Sequence, residues 1–249
     1  MKSIAWSLFV VTVLSAAWAS GATIETIYLD PLDGGTGNLN NTSPEDRGGT
    51  GGSDWSAGQD FKQNGSIAGG SQSYGATLPF TPEPGKRYRL SADMDTGTDQ
   101  EDDWNSIGFM DTNPGTTQNQ VFYSNGGYGN ILLRGAGNGT VFLGENTNGG
   151  TGYAAVSSGT ISLMIELDTR PASSTDWLFS FFLNGTELAG GGVAQTGDPG
   201  SISYVGFSNF RDVGGQVGNF SLQIIPEPAT AVFFTLGVAV FFGRRPRRR

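Results

Sequence analysis

Apolar and polar positions alternate along much of this chain. Tyr88-Arg89-Leu90-Ser91-Ala92-Asp93-Met94 alternates without a break, and Thr160–Leu167 places Ile161, Leu163, Ile165 and Leu167 on one side. A period of two sends successive side chains to opposite faces, which is the pattern of a half-buried strand. Shorter apolar runs predict further strands at 24–29, 106–110, 131–134, 140–143, 177–183, 186–189, 201–207 and 217–225. Turn chemistry separates them. Pro82-Glu83-Pro84-Gly85 precedes one strand, and Asn184-Gly185 joins two others. Asn-Gly between apolar runs marks a two-residue hairpin, because a type I′ turn needs positive φ at both centres. About twelve short strands with no soluble helix predict an all-β domain, a β-sandwich. No period repeats along the chain, which argues against a propeller or a β-helix.

Both ends depart from this texture. Lys2, the apolar run Ile4–Leu14 and the small-residue site Ala17-Trp18-Ala19 follow the order of a secretion signal. Residues 1–19 are therefore expected to form a signal helix that is removed between Ala19 and Ser20, which implies export through the Sec translocon. At the other end, Pro226-Glu227-Pro228 precedes an apolar helix over 229–243 and the arginines Arg244, Arg245, Arg247, Arg248 and Arg249. Fourteen apolar helical residues, 229–242, span about 21 Å, short of a hydrocarbon core of about 30 Å. The expectation is a weak transmembrane anchor whose arginines stay in the cytoplasm, with the rest of the chain outside. The body, 20–225, is expected to be one domain.

Composition narrows the chemistry. There is no cysteine, so no disulfide and no thiolate metal site. There is no histidine, which removes a Ser-His-Asp triad and the commonest transition-metal ligand. The 40 glycines lack the strict three-residue period of collagen and cluster between apolar runs. Residues 20–225 hold 22 acidic and eight basic side chains, so the body repels nucleic acid. It is compatible with calcium, with neutral glycans, or simply with solubility.

The trio Pro-Glu-Pro, short apolar helix and terminal arginine cluster resembles the PEP-CTERM sorting signal of bacteria. That resemblance covers roughly the last 25 residues, 226–249. It implies recognition by an exosortase, a transient stay in the inner membrane, and a destination in the cell envelope, outer surface or extracellular matrix, often with exopolysaccharide or biofilm. The strands Tyr88–Ala92, Ile107–Phe109, Phe182–Thr186, Tyr204–Phe207 and Asn219–Leu222 are similar to those of concanavalin A-like (laminin-G-like) jelly rolls. That likeness covers residues 80–225 and implies a two-sheet antiparallel β-sandwich, a jelly roll of a kind that is often glycan-binding or adhesive, in some members with calcium.

Three groups of residues carry candidate chemistry. Asp93, Asp95, Asp99 and Asp103 lie in the densest acidic stretch and are candidate calcium ligands, although the spacing fails the EF-hand template. Trp55, Trp104, Tyr123 and Tyr128 sit in or beside predicted loops and are candidate sugar-stacking rings, whereas Trp177 is expected in the core. Glu166-Leu167-Asp168 begins the Glu-x-Asp-x-x-Glu strand of jelly-roll glycosidases, but position 171 is Pro171. No catalytic residue is assigned on that basis, and no enzyme is expected. The resulting expectation is an exported surface or matrix module, adhesive or structural and bound to exopolysaccharide. The alternative is a specific carbohydrate-binding module, calcium-assisted in one version, and a secreted glycoside hydrolase ranks below both.

Overall fold

A computed structural model describes residues 23–48, 53–58, 60–66, 73–95, 104–113, 127–134, 139–144, 151–156, 159–194, 197–210 and 215–226. The expected signal helix, the anchor helix and arginine tail, Asp99, Asp103 and Tyr123 lie outside these residues.

Glu25–Ile225 forms one compact unit. Its strands in chain order are β1 (Glu25–Asp30), β2 (Ser56–Ala57), β3 (Ser73–Pro79), β4 (Arg87–Asp95), β5 (Trp104–Met110), β6 (Gly127–Arg134), β7 (Gly139–Gly144), β8 (Thr151–Val156), β9 (Ile161–Asp168), β10 (Leu178–Leu183), β11 (Thr186–Ala194), β12 (Tyr204–Phe210) and β13 (Gln216–Ile224). They build two antiparallel sheets, ordered β1-β13-β4-β9-β10-β11 and β2-β3-β12-β5-β6-β7-β8. The two-sheet sandwich thus stands as expected. Its helical content among the described residues is two 3-10 turns, Ser174–Asp176 and Pro199–Ser201.

The alternation in the sequence becomes the division between core and outer face. In β4, Tyr88, Leu90, Ala92 and Met94 are buried, and Arg87, Arg89, Ser91, Asp93 and Asp95 are half-buried on the outer face. Ile161, Leu163, Ile165 and Leu167 of β9 join the same core. The hairpin Asn184-Gly185 has φ of 47° and 77°, the positive pair that a type I′ turn requires. Between the sheets, Trp55 meets Phe220 edge-on at 5.0 Å and Phe207 at 5.3 Å, and Phe61 meets Phe207 at 5.2 Å. Edge-to-face pairs of this kind add about 0.5–1.5 kcal/mol each beyond the burial itself.

Several boundaries differ from the sequence reading. β2, β3 and β8 were not anticipated, and Ser201 lies in a 3-10 turn rather than in the strand that follows. Trp104 opens β5 and Tyr128 is the second residue of β6, and Asp93 lies in β4 as its alternation requires, with Asp95 ending the same strand.

Candidate functional site

Two clefts flank β1, one at each end, and they share no lining residue. The cleft at the Asp30 end, here the distal cleft, has a volume of about 380 Å³. Asp30, Asp33, Glu45, Thr42, Ser43 and Gln63 line it with oxygen- and amide-bearing side chains, and Leu39 and Pro31 supply its apolar surface. Among the described residues its lining contains three carboxylates and no lysine or arginine.

The frame of this cleft is rigid for identifiable reasons. Asp30 ends β1 with both oxygens engaged: Oδ1 accepts from the Leu32 N–H at 2.9 Å and Oδ2 from Trp55 Nε1–H at 2.7 Å. Leu32 sits at φ 53°, a left-handed conformation that costs a leucine about 1–2 kcal/mol. The Asp30 bond and the burial of Leu32 hold it there. The backbone N–H groups of Leu39 and Asn41 donate to Phe61 and Trp55, and Thr42 Oγ1 donates to the Leu39 carbonyl. Gln63 crosses close over the loop. A Cβ on Gly34 would stand 2.8 Å from Gln63 Cβ, so only glycine allows this approach. Among the described residues Asp33 and Glu45 have no hydrogen-bond or ion-pair partner, and both are exposed.

The cleft at the Glu25 end, the proximal cleft, encloses about 260 Å³. Ile27, Pro79, Phe80 and Ile224 form its apolar side, and Glu25, Glu83, Lys86, Ser53 and Thr81 its polar side. Tyr28 and Tyr88 reach it with phenols that are already anchored. Tyr28 Oη donates to the Pro79 carbonyl at 2.7 Å, and Tyr88 Oη accepts from the Glu83 N–H at 2.8 Å. Burial pushes both phenols above their ordinary value of 10.0. Lys86 pairs with Glu83 at 2.9 Å, and the hydrogen bond to that carboxylate raises its ammonium pKa.

The residues anticipated from sequence are distributed differently. Trp55, Trp104 and Tyr128 are 1%, 4% and 5% exposed, which corrects the expectation of exposed sugar-stacking rings. Trp55 is a core side chain that props Asp30, and the hydroxyl of Tyr128 accepts from Ser201 Oγ. Trp177 is buried as expected. Asp93 Oδ2 accepts from Asn219 Nδ2 at 2.7 Å, and the Asp95 carbonyl accepts from Asn105. Among the described residues no three acidic side chains converge as a metal site would require.

Glu166 and Asp168 do share the outer face of the six-stranded sheet, as the alternation requires. Their surroundings do not suit glycoside cleavage. Glu166 Oε2 accepts from Arg87 at 2.6 Å and Oε1 from Arg89 at 2.7 Å, so guanidinium groups occupy both oxygens. Strand register carries this pairing across the sheet, with Gln223, Arg89, Glu166 and Ser180 in one row. Arg170 holds the Asp168 carboxyl below the usual carboxylate range through its hydrogen bond. A general acid needs the opposite shift.

The sequence signalled neither cleft as such. Each arises where two segments distant in the chain meet: 30–45 with Gln63, and Glu25 with 79–88. Gly34 opposite Gln63 is the local trace of the first, and it is visible only once the pairing of Asn38 with Lys62 is known.

No family model matches the chain. No curated protein matches it either. Among solved structures, the chain is similar to the metal-free carbohydrate recognition domain of Emp46p, at 13% identity and a TM-score of 0.46, over 76% of this chain and 94% of that one. It is similar to the alginate lyase Aly36B at 11% identity and a TM-score of 0.40, over 81% and 97%. It is also similar to the carbohydrate-binding module CBM66 from Bacillus subtilis, at 10% and 0.38, over 62% and 84%. These likenesses assign no ligand and no reaction to this chain.

Proposed function

We propose that this protein is an exported carbohydrate-binding module of the bacterial cell surface or matrix, and that it holds a neutral polysaccharide in the distal cleft. One observation carries the reading: three carboxylates, two hydroxyls and an amide are spread over one rigid cleft without converging on a point. Spread oxygens suit a polyol, whose hydroxyls each donate to a separate acceptor. Carboxylates are the strongest acceptors available for that purpose. With no cation among the described lining residues, uronic acids, sulfates and phosphates are repelled.

The destination is part of the same proposal and is supported by the sequence. A secretion signal over 1–19 and the PEP-CTERM-like segment at 226–249 are read as delivery by the Sec translocon and handling by an exosortase. The signals imply transient anchoring in the inner membrane and release into the envelope or matrix. Exopolysaccharide is then the material the sandwich meets.

Binding is tested by calorimetry of residues 20–226 against cellohexaose, mannohexaose and chitohexaose, with an alginate hexamer as the acidic control. Binding to a neutral hexamer, with a site lost in the Asp33→Asn, Glu45→Gln double variant at unchanged melting temperature, supports the proposal. Binding to alginate alone, or neutral binding whose stoichiometry and affinity the double variant leaves unchanged, contradicts it.

A further inference from the structure

We infer that the proximal cleft is a second sugar site, so that one domain bridges two polysaccharide chains. The lining has the two-sided character that a pyranose ring presents. Ile27, Phe80 and Ile224 offer apolar surface for the C–H face, and Glu25, Lys86 and Thr81 offer groups for the hydroxyls. The Glu25 carboxylate makes no hydrogen bond or ion pair among the described residues, although Lys86 feels its charge. The phenol of Tyr28 spends its proton on the Pro79 carbonyl and keeps acceptor capacity for a ligand hydroxyl. Unlike its distal counterpart, this cleft pairs carboxylates with an ammonium, so it accepts neutral sugars without strong charge selection.

Topology separates the two sites. Glu25 pairs with Ile224 at the end of β13, whereas the distal cleft's Gln63 belongs to a segment joined to the start of β13 through Ser66 and Gln216. Glu25 of the proximal cleft and Asp30 of the distal one stand at opposite ends of β1, about 17 Å apart along an extended strand, and Leu29 separates the nearest lining residues, Tyr28 and Asp30. Two separate sugar chains can be held at the Glu25 and Asp30 ends, because no described lining residue is common to both clefts. A monomeric domain then acts as a cross-link, and an adhesive or structural role follows without any oligomer.

The bridging consequence rests on the carbohydrate reading of the distal cleft, and the experiment separates the two. Calorimetric stoichiometry is measured for the protein and for Glu25→Arg, Glu45→Arg and the double variant, with cellohexaose, mannohexaose and chitohexaose as probes. Both substituted side chains are exposed, so each arginine should leave the melting temperature within about 1–2 °C of the parent, as expected for surface changes. Two sites per chain, one in each single variant and none in the double variant are expected. Light scattering of the matching long polymer should rise with the parent protein and with neither single variant. One site, unaffected by Glu25→Arg and abolished by Glu45→Arg, overturns the second site and leaves the distal reading intact. One site abolished by Glu25→Arg alone overturns the distal reading and the bridge. No binding of any hexamer overturns both.

Discussion

The two ends of β1 solve the problem of building a cleft in different ways. At the Asp30 end the walls are loops, and the architecture depends on one buried indole. Trp55 packs between Phe207 and Phe220 and also donates to Asp30, so the core and the cleft share a side chain. At the Glu25 end the walls are strand ends and a proline turn, anchored by two phenols that bond to backbone rather than to each other. The distal cleft is uniformly acidic, and the proximal one carries both signs. The contrast shows how one sandwich edge can carry two clefts of different charge without altering the sheets beneath.

Substitution at Trp55 breaks the comparison most strongly. Trp55→Ala is expected to destabilise the domain by about 3–5 kcal/mol, since it empties a fully buried site in the aromatic cluster. Trp55→Phe keeps most of the packing but strips Asp30 of a donor, which should cost about 1–3 kcal/mol. Thermal unfolding measures both. Trp55→Phe should also weaken binding at the distal cleft and leave the proximal one unchanged, and an equal effect on both would mean that the clefts are not independent.

Next in size are the free carboxylates. Asp33→Asn and Glu45→Gln each remove a charged acceptor, and hydrogen bonds to charged groups contribute about 1.5–3 kcal/mol. A loss of about tenfold or more in affinity is expected for each, with no change in melting temperature. Unaltered affinity in both would remove the distal cleft from recognition.

Alkali should act on the proximal end. Tyr28 and Tyr88 titrate above 10.0 in the folded domain because burial disfavours their phenolates. Such groups contribute stability that is complete below pH 10 and is lost as pH rises through the raised values. Stability followed against pH should therefore fall above pH 10, and Tyr88→Phe should flatten that fall. A curve unchanged by the substitution would show that the phenol stays neutral by some other means.

The smallest effect concerns calcium. Recognition by carboxylates that do not converge predicts that chelation with EDTA leaves hexamer affinity within twofold. A larger loss would bring Asp93 and Asp95 back as ligands, together with Asp99 and Asp103.

Strand architecture was legible where long apolar side chains alternated, as in β4 and β9. β3 was missed because its inward residues are Tyr74, Ala76 and Leu78, interleaved with serine, glycine and threonine, so the contrast between its two sides is weak. Trp55 looked like a surface ring because its neighbours are polar. Burial is decided by Phe207 and Phe220, more than 150 positions away, and no local pattern encodes that. The Glu166-Leu167-Asp168 pair was read correctly as facing away from the core, but its arginine partners come from β4, some 80 residues earlier. The clefts were the least legible feature, since each depends on two segments distant in the chain meeting rather than on any motif.

The most direct test of the central claim is amide-resolved NMR of the 20–226 domain titrated with the neutral hexamer it binds best. The account predicts that the amides of Asp33, Gly34, Thr42, Ser43 and Gln63 shift together on one saturable curve, and that a second group around Glu25, Thr81 and Lys86 follows its own. Shifts confined to the strands of the seven-stranded sheet, with both groups silent, would contradict it.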